Sequence, residues 1–199
     1  MISSKNRGFT LLEFLITLAI VLTMAGFTFL ALMPLLNQSH VDAAYDTTLS
    51  AIRGYRNQAI TGSQRYILTF TAPGTITVQY WGVAVPVSPA PVTVATFTLP
   101  ADMQFAVQPG FPNPGPDSLD AGTAPVSFNA CTVVASGSPC LIFYPDGSAQ
   151  DDLGQFNNGV VYMTRTGDMY SSRAVSVFGT TGRTRGWRMD PNTNNWTQQ

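Results

Sequence analysis

Three groups of residues in this 199-residue chain have the types and spacing that chemistry or recognition needs. The first is Glu13, a carboxylate five positions into an apolar run that starts at Phe9. An ionised carboxylate in lipid costs at least about 2.5 kcal/mol, so something must neutralise it. A cut between Gly8 and Phe9 would expose an α-amino group on Phe9, one helical turn from Glu13, and that cation on a packed neighbour could offset the charge. The plainer alternative places Glu13 at the membrane interface, where its carboxylate snorkels to water. The second group is Cys131 and Cys140, nine positions apart around a turn-forming segment. The third is Gly182-Arg183-Thr184-Arg185-Gly186-Trp187-Arg188, which follows an apolar strand. A period of two points Arg183 and Arg185 to one side. Arginine forks suit phosphates, flanking glycines let a backbone approach closely, and Trp187 could stack on a base or on an arginine.

Composition narrows what these groups can do. Asp, Glu, Lys and Arg make up 11% of the chain, against a usual share of about 25%. That excludes a charged disordered chain, a coiled coil and a histone-like protein. The net charge of -1 gives no global field toward nucleic acid or acidic lipid, so any such binding must come from a local patch. His40 is the only histidine; with two cysteines it cannot by itself fill a tetrahedral zinc site, and so small a supply argues against a His-dependent triad. Asp151 and Asp152 are adjacent, and a strand would point them apart, so they are poor candidates for paired-carboxylate catalysis. No catalytic residue, metal or cofactor is expected.

The elements that must position these residues begin with a long helix. Phe9 to Met33 is about 37 Å of mostly apolar helix at 1.5 Å per residue, enough to cross a hydrocarbon core of about 30 Å with some tilt. Lys5 and Arg7 before it, and Asp42 and Asp46 after it, put the N-terminus in the cytoplasm and the bulk of the chain outside. Beyond Pro34 the pattern turns amphipathic, with Val41, Ala44, Tyr45, Leu49, Ile52, Ala59 and Ile60 recurring at spacings of three and four. Gly62 is the stop signal. His40 reads as a solvated residue at the junction.

Gly8-Phe9-Thr10-Leu11-Leu12-Glu13, after a short basic leader and before some twenty apolar residues, resembles the processing segment of type IV pilins and type II secretion pseudopilins. The resemblance implies that a prepilin peptidase cuts after Gly8 and N-methylates Phe9, and that Glu13 sets subunit register in a filament. Pilins often place a helix-bending proline about one turn earlier than Pro34, so any bend here is displaced.

After Gly62 the period switches to two. Strands are predicted at Tyr66 to Thr71, Thr75 to Val83, Val92 to Leu99, Met103 to Val107, Val126 to Asn129, Leu141 to Tyr144, Val160 to Arg165 and Ala174 to Phe178. Ala72-Pro73-Gly74, Pro145-Asp146-Gly147 and Thr166-Gly167-Asp168 supply turns. Pro86 to Pro91 and Pro109 to Pro116 read as exposed loops or partner surfaces. Outside the cytoplasm, Cys131 and Cys140 read as a hairpin disulfide, with a reactive thiol pair as the rival. The fold class is therefore α+β: a pilin-type helix packed on an antiparallel β domain. The organisation is a leader at 1–8, a membrane and filament-core helix at 9–36, its amphipathic half at 37–62, and a periplasmic β domain at 63–199.

Beyond residue 8 the chain holds eight arginines and no lysine, and five of the arginines lie in the last thirty-five residues. Arg56 to Ile60, Phe143 to Ser148 and Ser176 to Arg185 resemble spaced blocks of the pseudopilin H and FimT-like branch of minor pilins. That resemblance implies a subunit of a tip-priming complex. Its FimT-like members carry a Gly-Arg-x-Arg stretch associated with DNA uptake, which Gly182, Arg183 and Arg185 match, with Trp187 and Arg188 alongside. The expected function is a structural subunit of a type IV pilus or secretion pseudopilus in the inner membrane. Its expected partners are prepilin peptidase and other pilin subunits. DNA binding through the arginine stretch is the alternative, and a solvated strand edge or subunit contact is the plainer reading of those arginines.

Overall fold

Thr10 opens the first helix. Its hydroxyl oxygen accepts the backbone N–H of Glu13 at 3.3 Å, and its carbonyl accepts the first helical hydrogen bond, from Phe14, at 3.1 Å. The structure, a computed structural model, describes residues 10–82, 90–134 and 138–199. Helix α1 runs from Leu11 to Gly62 and is continuous in backbone assignment across position 34. The chain divides into two compact units, Met1–Ser39 and His40–Gln199, and α1 contributes to both.

In the first unit, Leu11–Phe29 is long and apolar enough to cross a membrane, and none of it is buried within the chain. Its threonines do not leave hydroxyls unsatisfied. Thr17, Thr23 and Thr28 donate to the carbonyls of Phe14, Ile20 and Met24 at 2.8 to 2.9 Å. Back-bonding of this kind lets a hydroxyl sit in an apolar medium without an unpaired donor.

The second unit is built on the amphipathic half of α1. Val41, Ala44, Thr48, Ala51, Ile52 and Ala59 are buried at helical spacing, and the alanines let the helix axis approach the sheets closely. Thr48 is tolerated there because its hydroxyl donates to the Ala44 carbonyl at 2.9 Å. The helix ends at Gly62 as the sequence predicts, but the residue in left-handed conformation is Ser63, with φ of 49°. Gln64 N–H then reaches back to the Ala59 carbonyl at 3.1 Å, closing the orphan end.

Among the described residues ten strands follow: β1 Arg65–Thr71, β2 Thr75–Trp81, β3 Val92–Thr98, β4 Met103–Phe105, β5 Cys140–Phe143, β6 Ala149–Gln150, β7 Gly159–Arg165, β8 Asp168–Phe178, β9 Arg183–Asp190 and β10 Asn195–Gln198. They form two five-stranded antiparallel sheets, ordered β3-β2-β1-β5-β6 and β10-β9-β8-β7-β4. The α+β class therefore holds, with the β part divided between two sheets. One core joins helix residues such as Ile52 to Leu68, Phe70 and Leu141 of the first sheet and Val161, Met163 and Val175 of the second. Each sheet also carries a cluster on its other face. Ile67, Trp81 and Ile142 gather around Cys131 and Cys140, while Val160, Tyr162, Ala174, Met189 and Trp196 are joined by Phe111 and Leu119. With both faces covered, β5 and all of β7 except Arg165 are buried residue after residue.

Several predicted boundaries move. Val126 to Asn129 forms no strand, only a single bridge from Val126 to Val161. β4 stops at Phe105, and β8 starts at Asp168, six residues before the predicted start. The short β6, and the charged or polar β9 and β10, carry too little apolar alternation for sequence periodicity to detect. Most of Pro86 to Pro91 lies outside the described residues. The second proline stretch is not an exposed loop throughout: Gly115 and Pro116 are buried, and a single 3-10 turn at Pro116–Ser118 lies beside β8. Phe111 beside Tyr162 and Trp196, with ring centroids 5.4 and 5.1 Å away, anchors its start.

Candidate functional site

Two places carry the residues singled out by the sequence. At the start of α1, Thr10-Leu11-Leu12-Glu13 has the Thr-x-x-Glu form of a capping box, a signal that the sequence reading did not use. The Thr10 half of the box is made. The Glu13 carboxylate is in the first turn, where the partial positive charge of the helix end favours an anion. Glu13 thus has a local reason to be acidic besides any role between subunits. Gly8 and Phe9 lie outside the described residues.

The arginine stretch is strand β9, and it is not a sheet edge over its length. β8 lies on one side, pairing Phe178 with Arg183, Ser176 with Arg185, Ala174 with Trp187 and Arg173 with Arg188. β10 covers the other side from Trp187 to Asp190, leaving Arg183 to Arg185 beyond its end. Arg183, Arg185 and Trp187 alternate onto the face that carries Ala174 and Ser176. Arg188 falls on the opposite face, across from Arg173.

The members of the stretch differ in what they are free to do. The Arg185 guanidinium is paired with Asp117, whose side chain is 5% exposed, and lies 5.4 Å from the Phe178 ring centroid. Asp117 also accepts the Ser176 hydroxyl, and Ser176 in turn accepts Trp187 Nε1–H at 2.9 Å. Arg185 and Trp187 are thereby members of an internal network that fastens the proline-rich segment to the sheet. Arg183 and Arg188 are exposed. The two glycines also answer to packing. A Cβ on Gly182, whose φ is 61°, would collide with the Gly147 carbonyl and the Arg56 side chain, and one on Gly186 would collide with the Tyr45 hydroxyl.

Arg183 is one wall of a groove of about 440 Å³ whose other walls come from the helix. Arg53, Arg56 and Asn57 line it from α1, and Thr181, Gly182 and Thr184 from the turn into β9 and its start. Arg56 is held in place by two carbonyls, Nε donating to Gly147 at 3.1 Å and Nη2 to Thr181 at 2.8 Å. Arg53 reaches the Thr184 carbonyl at 3.5 Å. Nothing in the third stretch predicted the two helix arginines as its neighbours, because Arg53 and Arg183 are 130 positions apart.

Elsewhere, Cys131 and Cys140 are joined as a disulfide with Cα atoms 5.7 Å apart, both inside the cluster around Trp81. His40, read as solvated, has Nδ1 2.8 Å from Asp102 Oδ1 while remaining half exposed, and Asp102 Oδ2 lies 3.5 Å from Arg165 Nε. Asp151 accepts the N–H groups of Leu153 and Gln155, so it shapes a turn.

Residues 3–29 match the family model of the prokaryotic N-terminal methylation motif. The chain thus carries a prokaryotic N-terminal methylation motif at its start. No curated protein sequence matches it. Solved structures that this chain is similar to include the minor pseudopilin EpsH from the type 2 secretion system of Vibrio cholerae, at 10% identity and a TM-score of 0.46, covering 75% of this chain and 97% of that one. Another is the type IV minor pilin FimU of Pseudomonas aeruginosa, at 11% identity and a TM-score of 0.43, covering 84% of this chain and 96% of that one.

Proposed function

We propose that this chain is a minor pilin or pseudopilin, a structural subunit of a type IV pilus or secretion pseudopilus, made ready by prepilin peptidase. The observation that carries the reading is the methylation motif over residues 3–29, set against a helix apolar enough over Leu11–Phe29 to cross a membrane. Cleavage after Gly8 frees the amino group of Phe9. In the packed filament that cation meets the Glu13 carboxylate of a neighbour, which offsets the cost of carrying Glu13 through lipid. Before assembly the chain is held in the inner membrane, with Lys5 and Arg7 on the cytoplasmic side and the β domain in the periplasm. Helix packing is the mechanism and no bond is made or broken in the β domain. Glu13→Ala should insert in the membrane like the natural chain but fail to enter filaments; a variant that assembles normally refutes the role of Glu13. Mass spectrometry of chains recovered from filaments should find residues 1–8 removed.

A second reading, DNA contact during uptake, draws its support from the exposed Arg183 and Arg188. Arg185 and Trp187 enter it only if Asp117 and Ser176 release them. Gel-shift titration of the full chain in detergent tests it, with unchanged affinity in the Arg183→Gln/Arg188→Gln variant as the contrary result.

A further inference from the structure

From His40 onward the chain has ten aspartates, eight arginines, and neither lysine nor glutamate, so this unit is mildly acidic as a whole. Three arginines are neutralised within it: Arg165 by Asp102, Arg173 by Asp42 and Arg185 by Asp117. Arg65 is spent on the Trp81 ring, 4.0 Å away, and on the Gly82 carbonyl. Of the four arginines without a carboxylate or aromatic partner among the described residues, three line one groove: Arg53, Arg56 and Arg183. No acidic residue lines it, and Asp46 lies two turns back along α1, about 10 Å by the helical rise.

We infer that this groove is a docking site for a carboxylate-bearing segment of a neighbouring protein subunit, with Arg53, Arg56 and Arg183 as its recognition residues. The inference rests on the filament-subunit reading above. Charge is the argument. Three arginines line one small concavity that no carboxylate lines, and a carboxylate accepts two parallel N–H bonds from each guanidinium fork it meets. Two of the three are already oriented. The carbonyls of Gly147 and Thr181 hold Arg56 rigidly, and Arg53 leans on Thr184, so less side-chain entropy is lost on binding. Asn57, Thr181 and Thr184 add short polar groups around the anion. The groove carries too few free cations for a polyanion. A nucleic-acid backbone needs a stripe of free cations, with stacking surfaces for single strands. Here the next arginine, Arg185, is neutralised, the nearest indole is tied to Ser176, and the remainder of the unit is acidic. An exposed Asp or Glu on a protein partner matches the charge of the site.

The test places a photo-crosslinking amino acid at Asn57, which lines the groove without carrying its charge, in the full chain expressed in cells that build the filament. Peptide mapping should find a cross-link to another filament subunit within a peptide that contains Asp or Glu. That cross-link should fall to background in the Arg53→Gln/Arg183→Gln double variant, which should still be membrane-inserted and protease-resistant. Exchanging charges, with Arg183→Asp in this chain and Asp or Glu→Arg at the mapped position in the partner, should restore it. Cross-linking to DNA, cross-linking to a peptide without an acid, or no cross-link from a chain that is present in the filament would each overturn the inference. A chain absent from filaments altogether would instead overturn the filament reading, and this inference with it.

Discussion

Arg173 is 5% exposed, and its Nη2 lies 3.0 Å from Oδ1 of Asp42, a bond that ties the middle of β8 to the amphipathic half of α1. Burial lowers the pKa of this guanidinium, and the hydrogen bond it donates to Asp42 partly offsets that. Arg173 also sits across from Arg188, a like charge, so Asp42 is the group that makes the site tolerable. Asp42→Asn should cost about 2 kcal/mol, less than breaking a fully buried pair because the aspartate itself is half exposed. Urea unfolding of the full chain in detergent, followed by tryptophan fluorescence, checks this. Replacing both partners with Asp42→Leu/Arg173→Met should cost less than Asp42→Asn alone.

Gly182 offers a clean separation of packing from binding. Its φ is 61°, and a Cβ there would strike the Gly147 carbonyl, which is backbone and cannot swing aside. Gly182→Ala should therefore lose about 1 to 3 kcal/mol through strain at a left-handed position. The same scan of unfolding against urea reads it. A neutral result would show that the turn into β9 can relax.

The two arginines of the Gly-Arg-x-Arg stretch should part company in stability. Arg185→Gln leaves Asp117 buried with only Ser176 to hold it, at a cost of about 3 kcal/mol. Arg183→Gln, at an exposed position, should stay within about 0.5 kcal/mol of the natural chain. Equal stabilities for the two variants would contradict the Arg185–Asp117 pairing. Any loss of ligand binding in Arg185→Gln must accordingly be judged against its folded fraction.

Ser148 holds Asp146 in a tight turn, donating its hydroxyl at 2.7 Å and its backbone N–H at 2.9 Å to Oδ1. These bonds lower the Asp146 pKa below its ordinary value. A depressed carboxylate contributes stability that is present above its unfolded pKa of about 3.9 and disappears as pH falls through the folded value. Ser148→Ala should move the Asp146 titration back toward its ordinary range, as followed by NMR, and should flatten the acid limb of the stability profile. An unchanged titration would mean that the turn holds Asp146 by other donors.

The long helix, its apolar first half, its amphipathic second half and its end at Gly62 were all legible in the sequence, because helical periodicity is a property of neighbours three and four apart. The strands with apolar alternation, such as β1, β2 and β7, were legible for the corresponding reason at period two. β9 was not. Three of its eight residues are arginines and only Trp187 and Met189 are apolar side chains, so only pairing with β8 and β10 makes it a strand. The motif around Glu13 is local and could be read directly, although the capping role of Thr10 beside it passed unused. What tertiary structure alone decided is which arginines are free. Asp117 comes from a proline-rich segment 68 positions before Arg185, and Arg53 and Arg56 from a helix about 130 positions before Arg183. Charge neutralisation acts over a few ångströms of space. Sequence distance carries no record of it, so one contiguous stretch of arginines became a structural clamp at Arg185 and an open cation at Arg183.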